Sequence, residues 1–212
     1  MTDIPNYEQA KSYFEERLTN FGASARGVDW NSETAQELRF SQLIKVLDPA
    51  RPFSLLDYGC GYGALADFVI RQGYPMEVYV GFDVLESMVV KAREVHQQTP
   101  YTCTYTSHLE DITPVDFTIA SGIFNLKLET PYEAWTEYVI GELHKINRLS
   151  RRGFSFNMLT KYSDKEYMRP HLYYADPCYL FDYCKTNFSR NVALLHDYEV
   201  YDFTLVVRKS AA

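Results

Sequence analysis

The chain lacks most of the features that mark metal, disulfide, membrane or nucleic-acid proteins. Its four cysteines, Cys60, Cys103, Cys178 and Cys184, form no C-x-x-C pair, and no histidine joins them at metal-ligand spacing. Neither a metal site nor a disulfide framework is expected. No apolar run approaches the roughly 20 residues that span a bilayer. The first residues are polar and acidic, without the apolar core of a signal peptide. The expectation is a cytoplasmic, reducing setting with no membrane attachment. Cations are in the minority: 21 Lys and Arg against 28 Asp and Glu give a net charge of −7. Phosphate backbones need clustered cations, so nucleic acid is not an expected partner. The nearest basic cluster, Arg148, Arg151 and Arg152, falls at an expected helix-to-strand junction, where the helix dipole accounts for it. There is no internal repeat and no low-complexity segment.

What is abundant is aromatic. Tyrosine occurs 18 times and aromatic residues make up 16% of the chain, so some tyrosines are expected in the core and others around a pocket. A length of 212 residues and a hydrophobic fraction of 46% suit one α/β domain with a modest N-terminal addition.

The chain is organised around Ser54-Leu55-Leu56-Asp57-Tyr58-Gly59-Cys60-Gly61-Tyr62-Gly63-Ala64-Leu65. An apolar strand runs into a glycine turn and then a helix start. Three alternating glycines allow positive φ and let a ligand approach the main chain. The free N–H groups of the helix face the same space. Two ligand classes suit this arrangement. Residues 59–64 fit a loose G-x-G-x-x-A dinucleotide fingerprint. With Asp57 two residues before the first glycine, they fit a motif for S-adenosylmethionine (SAM) better, since the charged end of SAM wants main-chain groups and a carboxylate. A second apolar strand, Val78 to Phe82, ends in Asp83. That acid lies about twenty residues beyond the turn, where a ribose-binding carboxylate belongs.

At this point the chain resembles the class I SAM-dependent methyltransferases. The resemblance covers roughly Phe53 to Arg208 and rests on Asp57 to Gly63, Gly81-Phe82-Asp83 and Val115 to Gly122. Ser121-Gly122-Ile123-Phe124-Asn125 and His196-Asp197-Tyr198 look like a small bacterial subgroup, which implies no particular substrate. The implied fold is α/β: a doubly wound, mostly parallel, seven-stranded Rossmann-like methyltransferase sheet with an antiparallel last strand. Residues 1–52 are expected to form an N-terminal helical lid, and residues 53–212 the SAM-binding core.

Pattern and caps fill in the order of elements. Helices are expected over about 7–21 and 32–47, with Gly22 closing the first, Ser32 capping the second, and Leu38, Leu43, Ile44 and Leu47 facing inward. Strands are expected near 53–58, 77–82, 102–106, 115–120 and 152–159, followed by an antiparallel pair at 191–196 and 201–207. Helices are expected over 63–72, 85–97, 131–147 and 176–188, the last with Asp176 as N-cap and Pro177 in its first turn. The closing antiparallel pair separates this layout from a dinucleotide fold, which continues with a second βαβαβ half.

Candidate cofactor residues are Asp57, Gly59, Cys60, Gly61, Gly63, Asp83, Val84, Met88 and Ser121. Many members of the resembled family place a Gly-Asp after the third strand for the adenine amine. Here the segment is Thr106-Ser107-His108-Leu109-Glu110-Asp111, so His108 and Leu109 are candidates for the adenine, and the contact stays open. Methyl transfer from a sulfonium needs alignment and exclusion of water more than covalent help, and a general base is optional. Asn125 is a candidate for holding the acceptor, or else an Asx turn. His196 is a candidate base, or else a bridge between the last strands. Candidate acceptor contacts are Tyr13, Arg26, Trp30, Phe124, Tyr162 and Tyr174. The leading reading is a SAM-dependent transferase acting on O, N or C of a small-molecule acceptor. A protein or RNA acceptor, a non-catalytic SAM-binding module and an NAD-linked dehydrogenase are the alternatives. The sequence carries no signal for oligomeric state.

Overall fold

The computed structural model describes residues 4–210. Seven strands form one sheet in the order β3-β2-β1-β4-β5-β7-β6. They are β1 Phe53–Tyr58, β2 Met76–Phe82, β3 Thr102–Thr106, β4 Val115–Ala120, β5 Ser150–Leu159, β6 Asn191–Leu195 and β7 Asp202–Arg208. Strands β1 to β5 pair in parallel, while β7 runs antiparallel to both β5 and β6. The helices are α1 Tyr7–Phe21, α2 Glu33–Leu43, α3 Ala64–Arg71, α4 Glu86–Val95, α5 Tyr132–Leu149 and α6 Pro177–Asn187. The sheet is thus the expected one, and most element ends agree within three residues. β5 starts earlier than expected, because Ser150 pairs with Val115 and its hydroxyl donates 2.7 Å to Thr118.

Strand alternation divides the core. Phe53 and Leu55 of β1 join Tyr79, Phe117, Leu65, Phe68 and Val89 on one face, with α2, α3 and α4. Leu56 and Tyr58 join Phe154, Phe156, Trp135 and Leu180 on the other, with α5 and α6. Chains that cross from parallel strand to parallel strand place helices on both faces, and the continuous apolar strands follow from that. The β3–β4 connection is an exception. It holds only a short 3-10 turn, Leu109–Asp111, where a longer crossover would carry a helix.

The N-terminal helices differ in kind. Helix α2 starts at Ser32, whose hydroxyl accepts from the Ala35 N–H at 3.1 Å. It buries Gln36, Arg39, Phe40 and Leu43, and the following turn buries Ile44 and Val46 in the first core cluster. Leu38 is only half-buried, and Phe40 takes the inward place expected of it, since 36, 39, 40 and 43 share one helical face. Helix α1, by contrast, buries none of its residues. It starts at Asn6, a left-handed residue, and ends at Gly22 with φ 63°.

A buried polar network ties α2 to the far strand. Arg39 donates to Asp202 at 2.6 Å, with the carboxylate fully buried. Asn157 donates to the other oxygen of Asp202 at 2.7 Å and accepts from the Gly122 N–H at 2.9 Å. The Arg39 guanidinium lies 4.4 Å over the Trp30 ring. Removing one partner of a buried ion pair strands the other. Arg39→Met should therefore destabilise the chain by about 3 kcal/mol, measured by urea denaturation. A loss below about 0.5 kcal/mol would show that the pair carries no structural weight.

Candidate functional site

The glycine turn joins the tips of β1 and β2. Gly59, Gly61 and Gly63 adopt φ of 85°, 53° and 89°. The N–H groups of Gly59 and Cys60 donate to the Phe82 carbonyl at 2.7 and 2.9 Å, which fixes the turn against β2. Asp83 then clamps it: one carboxylate oxygen accepts from the Gly61 N–H at 2.9 Å, the other from the Leu85 N–H at 3.0 Å. A Cβ on Gly59 would lie 2.2 Å from Ile123, and one on Gly61 2.7 Å from Val28. These glycines let two neighbouring segments close onto the turn. Gly63 instead caps α3, and its missing Cβ makes room for His96 and Tyr105. No side chain caps α3: the Ala66 N–H donates to the Gly63 carbonyl at 3.1 Å, which leaves those of Ala64 and Leu65 open.

A cavity opens above this turn. Its floor is Asp57, Gly59, Cys60, Gly61, Asp83 and Ala64. Val84, Leu85 and Met88 form one side, and Ser121, Gly122 and Ile123, after β4, another. Tyr7, Lys11 and Phe14 of α1 lie over it with Val28 and Trp30. Helix α1 is anchored through Tyr7, whose hydroxyl donates to the Val84 carbonyl at 3.3 Å, and through Asn6, which donates to Thr130 at 2.8 Å.

The electrostatics of the floor favour a cation. Asp57 is 2% exposed, and burial pushes its carboxyl up to about 7 despite a 2.7 Å hydrogen bond from the Tyr79 hydroxyl; the nearby Asp83 charge adds to the rise. Burial also raises Asp83, to about 6, against two backbone N–H bonds that lower it. Two desolvated acids at neighbouring strand tips are relieved by a positive ligand. The Ser121 hydroxyl beside them is buried without a partner. The Cys60 thiol is pushed well up by burial and by both carboxylates, which makes it an unreactive filler.

Several residues expected at the site have other positions. Phe124 is fully buried beneath it, edge-on to Phe156, and its carbonyl accepts from the Trp135 indole at 2.8 Å. Asn125 fastens two loops: its side-chain oxygen accepts from the Leu159 N–H and its carbonyl from the Tyr173 N–H. His196 is exposed, between the Tyr162 and Phe203 rings, and Tyr162 itself is 60% exposed. The Tyr174 hydroxyl accepts from the Arg169 N–H. Tyr13 donates to Asp29 at 2.8 Å, and Arg26 is exposed on its 3-10 turn. The His108 side chain is 67% exposed, close to Glu110, and Leu109 packs against the second core cluster. None of these residues lines the cavity. The rest of the 160–176 segment, which carries the candidates Tyr162 and Tyr174, does not line it either. Its Tyr173 packs on Tyr132 of α5, with ring centroids 4.8 Å apart. Of the residues that do line the cavity, Tyr7, Lys11 and Phe14 stand at i, i+4 and i+7 of the expected first helix, the spacing of one helical face. Glu142 was not legible, because an acid on a long helix reads as solvated.

No family model matches the chain. A curated protein of Mycobacterium tuberculosis, named "Putative methyltransferase Rv1506c", is 44% identical over 171 residues, which is 79% of this chain and 100% of that one. The chain belongs to the class I SAM-dependent methyltransferases. Solved structures agree in fold. The Burkholderia thailandensis 1,6-didemethyltoxoflavin-N1-methyltransferase, crystallised with its acceptor and S-adenosylhomocysteine, matches with TM-score 0.62 at 16% identity over 100% of this chain and 93% of that one. The small RNA methyltransferase HEN1 matches with TM-score 0.59 at 11% identity over 84% of this chain and 26% of that one.

SAM is the cofactor of this methyltransferase, and the residues present fit it. Two carboxylates offer free acceptor positions for hydroxyl and ammonium groups, the open N–H groups of α3 suit a carboxylate, and Ser121 holds an unpaired hydroxyl. When bound, SAM supplies an electrophilic methyl group on a sulfonium centre. The acidic floor also sets a pH dependence. Both carboxyls hold their protons more tightly in the folded chain than at the ordinary 3.8, so folding stability falls as pH rises from about 4 to about 7. A cationic ligand reverses this by favouring the ionised form. SAM affinity should therefore rise between pH 6 and pH 8, with proton release visible by calorimetry in buffers of different ionisation heat. Asp57→Asn should raise apo stability at pH 8 by about 1–3 kcal/mol and weaken SAM about tenfold or more. Affinity that does not change with pH would show that neither carboxylate faces the cofactor's charge.

Proposed function

We propose that this methyltransferase acts on a small organic acceptor bound beneath α1. The carrying observation is the cover over the cavity. Helix α1 buries no residue of its own, yet it places Tyr7, Lys11 and Phe14 over the cofactor floor, with Trp30 beside them. A cover so close to the reacting centre suits an acceptor that can be enclosed, and it supplies the alignment and water exclusion that methyl transfer needs. Aromatic walls with a few polar groups suit a planar or amphipathic molecule. Residues 1–52 divide functionally on this reading: α1 is the lid, and α2 belongs to the core that holds it.

Charge argues against an RNA acceptor. The net charge is −7, and the nearest basic cluster lies away from the cavity. Arg152 sits near the start of β5, at the opposite edge of the sheet, paired with Asp48 at 2.6 Å and stacked over Phe117. A protein side chain would have to thread beneath α1.

The test uses methyl-labelled SAM with the full chain and separate small-molecule, protein and RNA fractions of a cell extract. Label should appear in the small-molecule fraction. Removal of residues 1–21 should leave a folded chain that binds S-adenosylhomocysteine within about threefold of the wild type and transfers less than about 1% as fast. Label in RNA or protein, or full transfer by the shortened chain, would overturn the proposal.

A further inference from the structure

The polar lining of the cavity is lopsided: it holds three acids, Asp57, Asp83 and Glu142, and one cation, Lys11. The acids have partners of their own. Asp57 accepts from the Tyr79 hydroxyl, Asp83 from two backbone N–H groups, and Glu142 from Tyr58 and Lys145, both at 2.6 Å. Lys11 pairs with none of them, and its ammonium makes no hydrogen bond within the described residues. It is half-buried on the α1 face that covers the floor, one turn from Phe14. Gln36 of α2 lines the same cavity, one turn from Phe40, and is 4% exposed. Its side-chain oxygen accepts from the Tyr62 hydroxyl at 3.5 Å, and its amide nitrogen has no partner within the described residues. Groups able to take a proton from an acceptor are scarce by comparison. Among the described residues the lining holds no histidine. Burial raises the phenols of Tyr58, Tyr62 and Tyr138, which therefore stay protonated. Lys145 offsets the charge of Glu142.

We propose that Lys11 and Gln36 bind the carboxylate of a small, largely apolar carboxylic acid, and that a carboxylate oxygen takes the methyl group. The inference rests on the small-molecule reading and names its acceptor class. Three observations converge on it. A cation and a neutral N–H donor, both without partners, suit the two oxygens of a carboxylate. Phe14, Val28, Trp30 and Phe40 supply apolar walls for the rest of the molecule. An anionic oxygen needs no base, and the lining offers none on the acceptor side. A lone pair of that oxygen forms the O–C bond as the C–S bond breaks. The sulfur keeps the electron pair and becomes the thioether of S-adenosylhomocysteine. One negative and one positive charge disappear together, a change that exclusion of water by α1 favours. The cofactor's own carboxylate has the open N–H groups of Ala64 and Leu65, so Lys11 is left to the acceptor. The oxygen loses charge as the methyl arrives, so Lys11 holds the bound acid more strongly than the transition state.

The test separates the small-molecule fraction of a cell extract on an anion exchanger at pH 8 and offers each part to the full chain with methyl-labelled SAM. Label should come from the retained, acidic part. Mild alkali should release it as volatile methanol, because a methyl ester hydrolyses where a methyl ether, amine or C-methyl group does not. With that part as acceptor, Lys11→Met should raise the apparent KM, read by dilution, by about tenfold or more and change kcat by less than about threefold. Lys11→Arg should return KM to within about threefold of the wild type. S-adenosylhomocysteine should bind Lys11→Met within about twofold of the wild type by calorimetry. Gln36→Leu should raise KM by about three- to tenfold, and it serves as the test if Lys11→Met lowers the melting temperature. Arg26→Ala, which removes a cation outside the cavity, should change neither constant. Label from the unretained part alone, alkali-stable label, or a KM unmoved in both variants would overturn the carboxylate and leave the small-molecule reading intact. A parallel loss of S-adenosylhomocysteine binding in Lys11→Met would give the lysine to the cofactor and overturn it equally. Label in neither part would remove the small-molecule reading as well.

Discussion

The site depends on three places where the backbone carries no side chain. Ile123 closes on Gly59, Val28 on Gly61 and the Trp30 ring on Gly122, where a Cβ would lie 2.4 Å from the indole. Each contact joins a different segment to the carboxyl edge of the sheet. Together they bring the β4 loop and the N-terminal segment within reach of the two strand-tip acids. Any side chain at these positions would force the walls apart, and all three glycines have φ between 53° and 85°, which other residues rarely adopt.

Enclosure changes the chemistry of the floor. In an open cleft Asp57 and Asp83 would be ordinary solvated acids. Shielded by the walls, they hold protons near neutrality. The same dry surroundings strengthen the attraction for a sulfonium or ammonium. The chain pays for this in apo stability and recovers it when a cation arrives. The Arg39–Asp202–Asn157 network serves the same end, because Asn157 fixes the Gly122 N–H and Arg39 steadies Trp30. It positions two walls without touching the cavity's contents.

The fold was legible because its signals are local. Alternating apolar strands, the glycine turn, Asp57 and Asp83, the Ser32 and Asp176 caps and the closing antiparallel pair each depend on a few adjacent residues. The floor of the cavity was legible for the same reason, since a strand, its turn and its acid are contiguous. The acceptor side was not. Asn125 and His196 carry the right functional groups, yet whether such a group faces a cavity is decided by partners remote in sequence, here Leu159 and Tyr173 for Asn125 and Tyr162 for His196. Phe124 was indistinguishable from a stacking residue until its burial against Phe156 was visible. Glu142 is the reverse case, an acid drawn inside by a tyrosine 84 residues away.

The hydrogen bond between Arg39 and Asp202 joins residues 163 apart in the chain. Asp202 opens the last strand, which inserts between β5 and β6 rather than adding to an edge. During synthesis, then, the SAM motif emerges early but its walls cannot set. Until β7 leaves the ribosome, Arg39 has no carboxylate, Asn157 has no acceptor for its amide, and the loop bearing Gly122 has no fixed support. The chain can form β1 to β4 locally while the carboxyl edge of its sheet waits for β7, a contact of high sequence separation and so a costly loop closure. A chain released before Asp202 would present the cofactor motif without the geometry to use it.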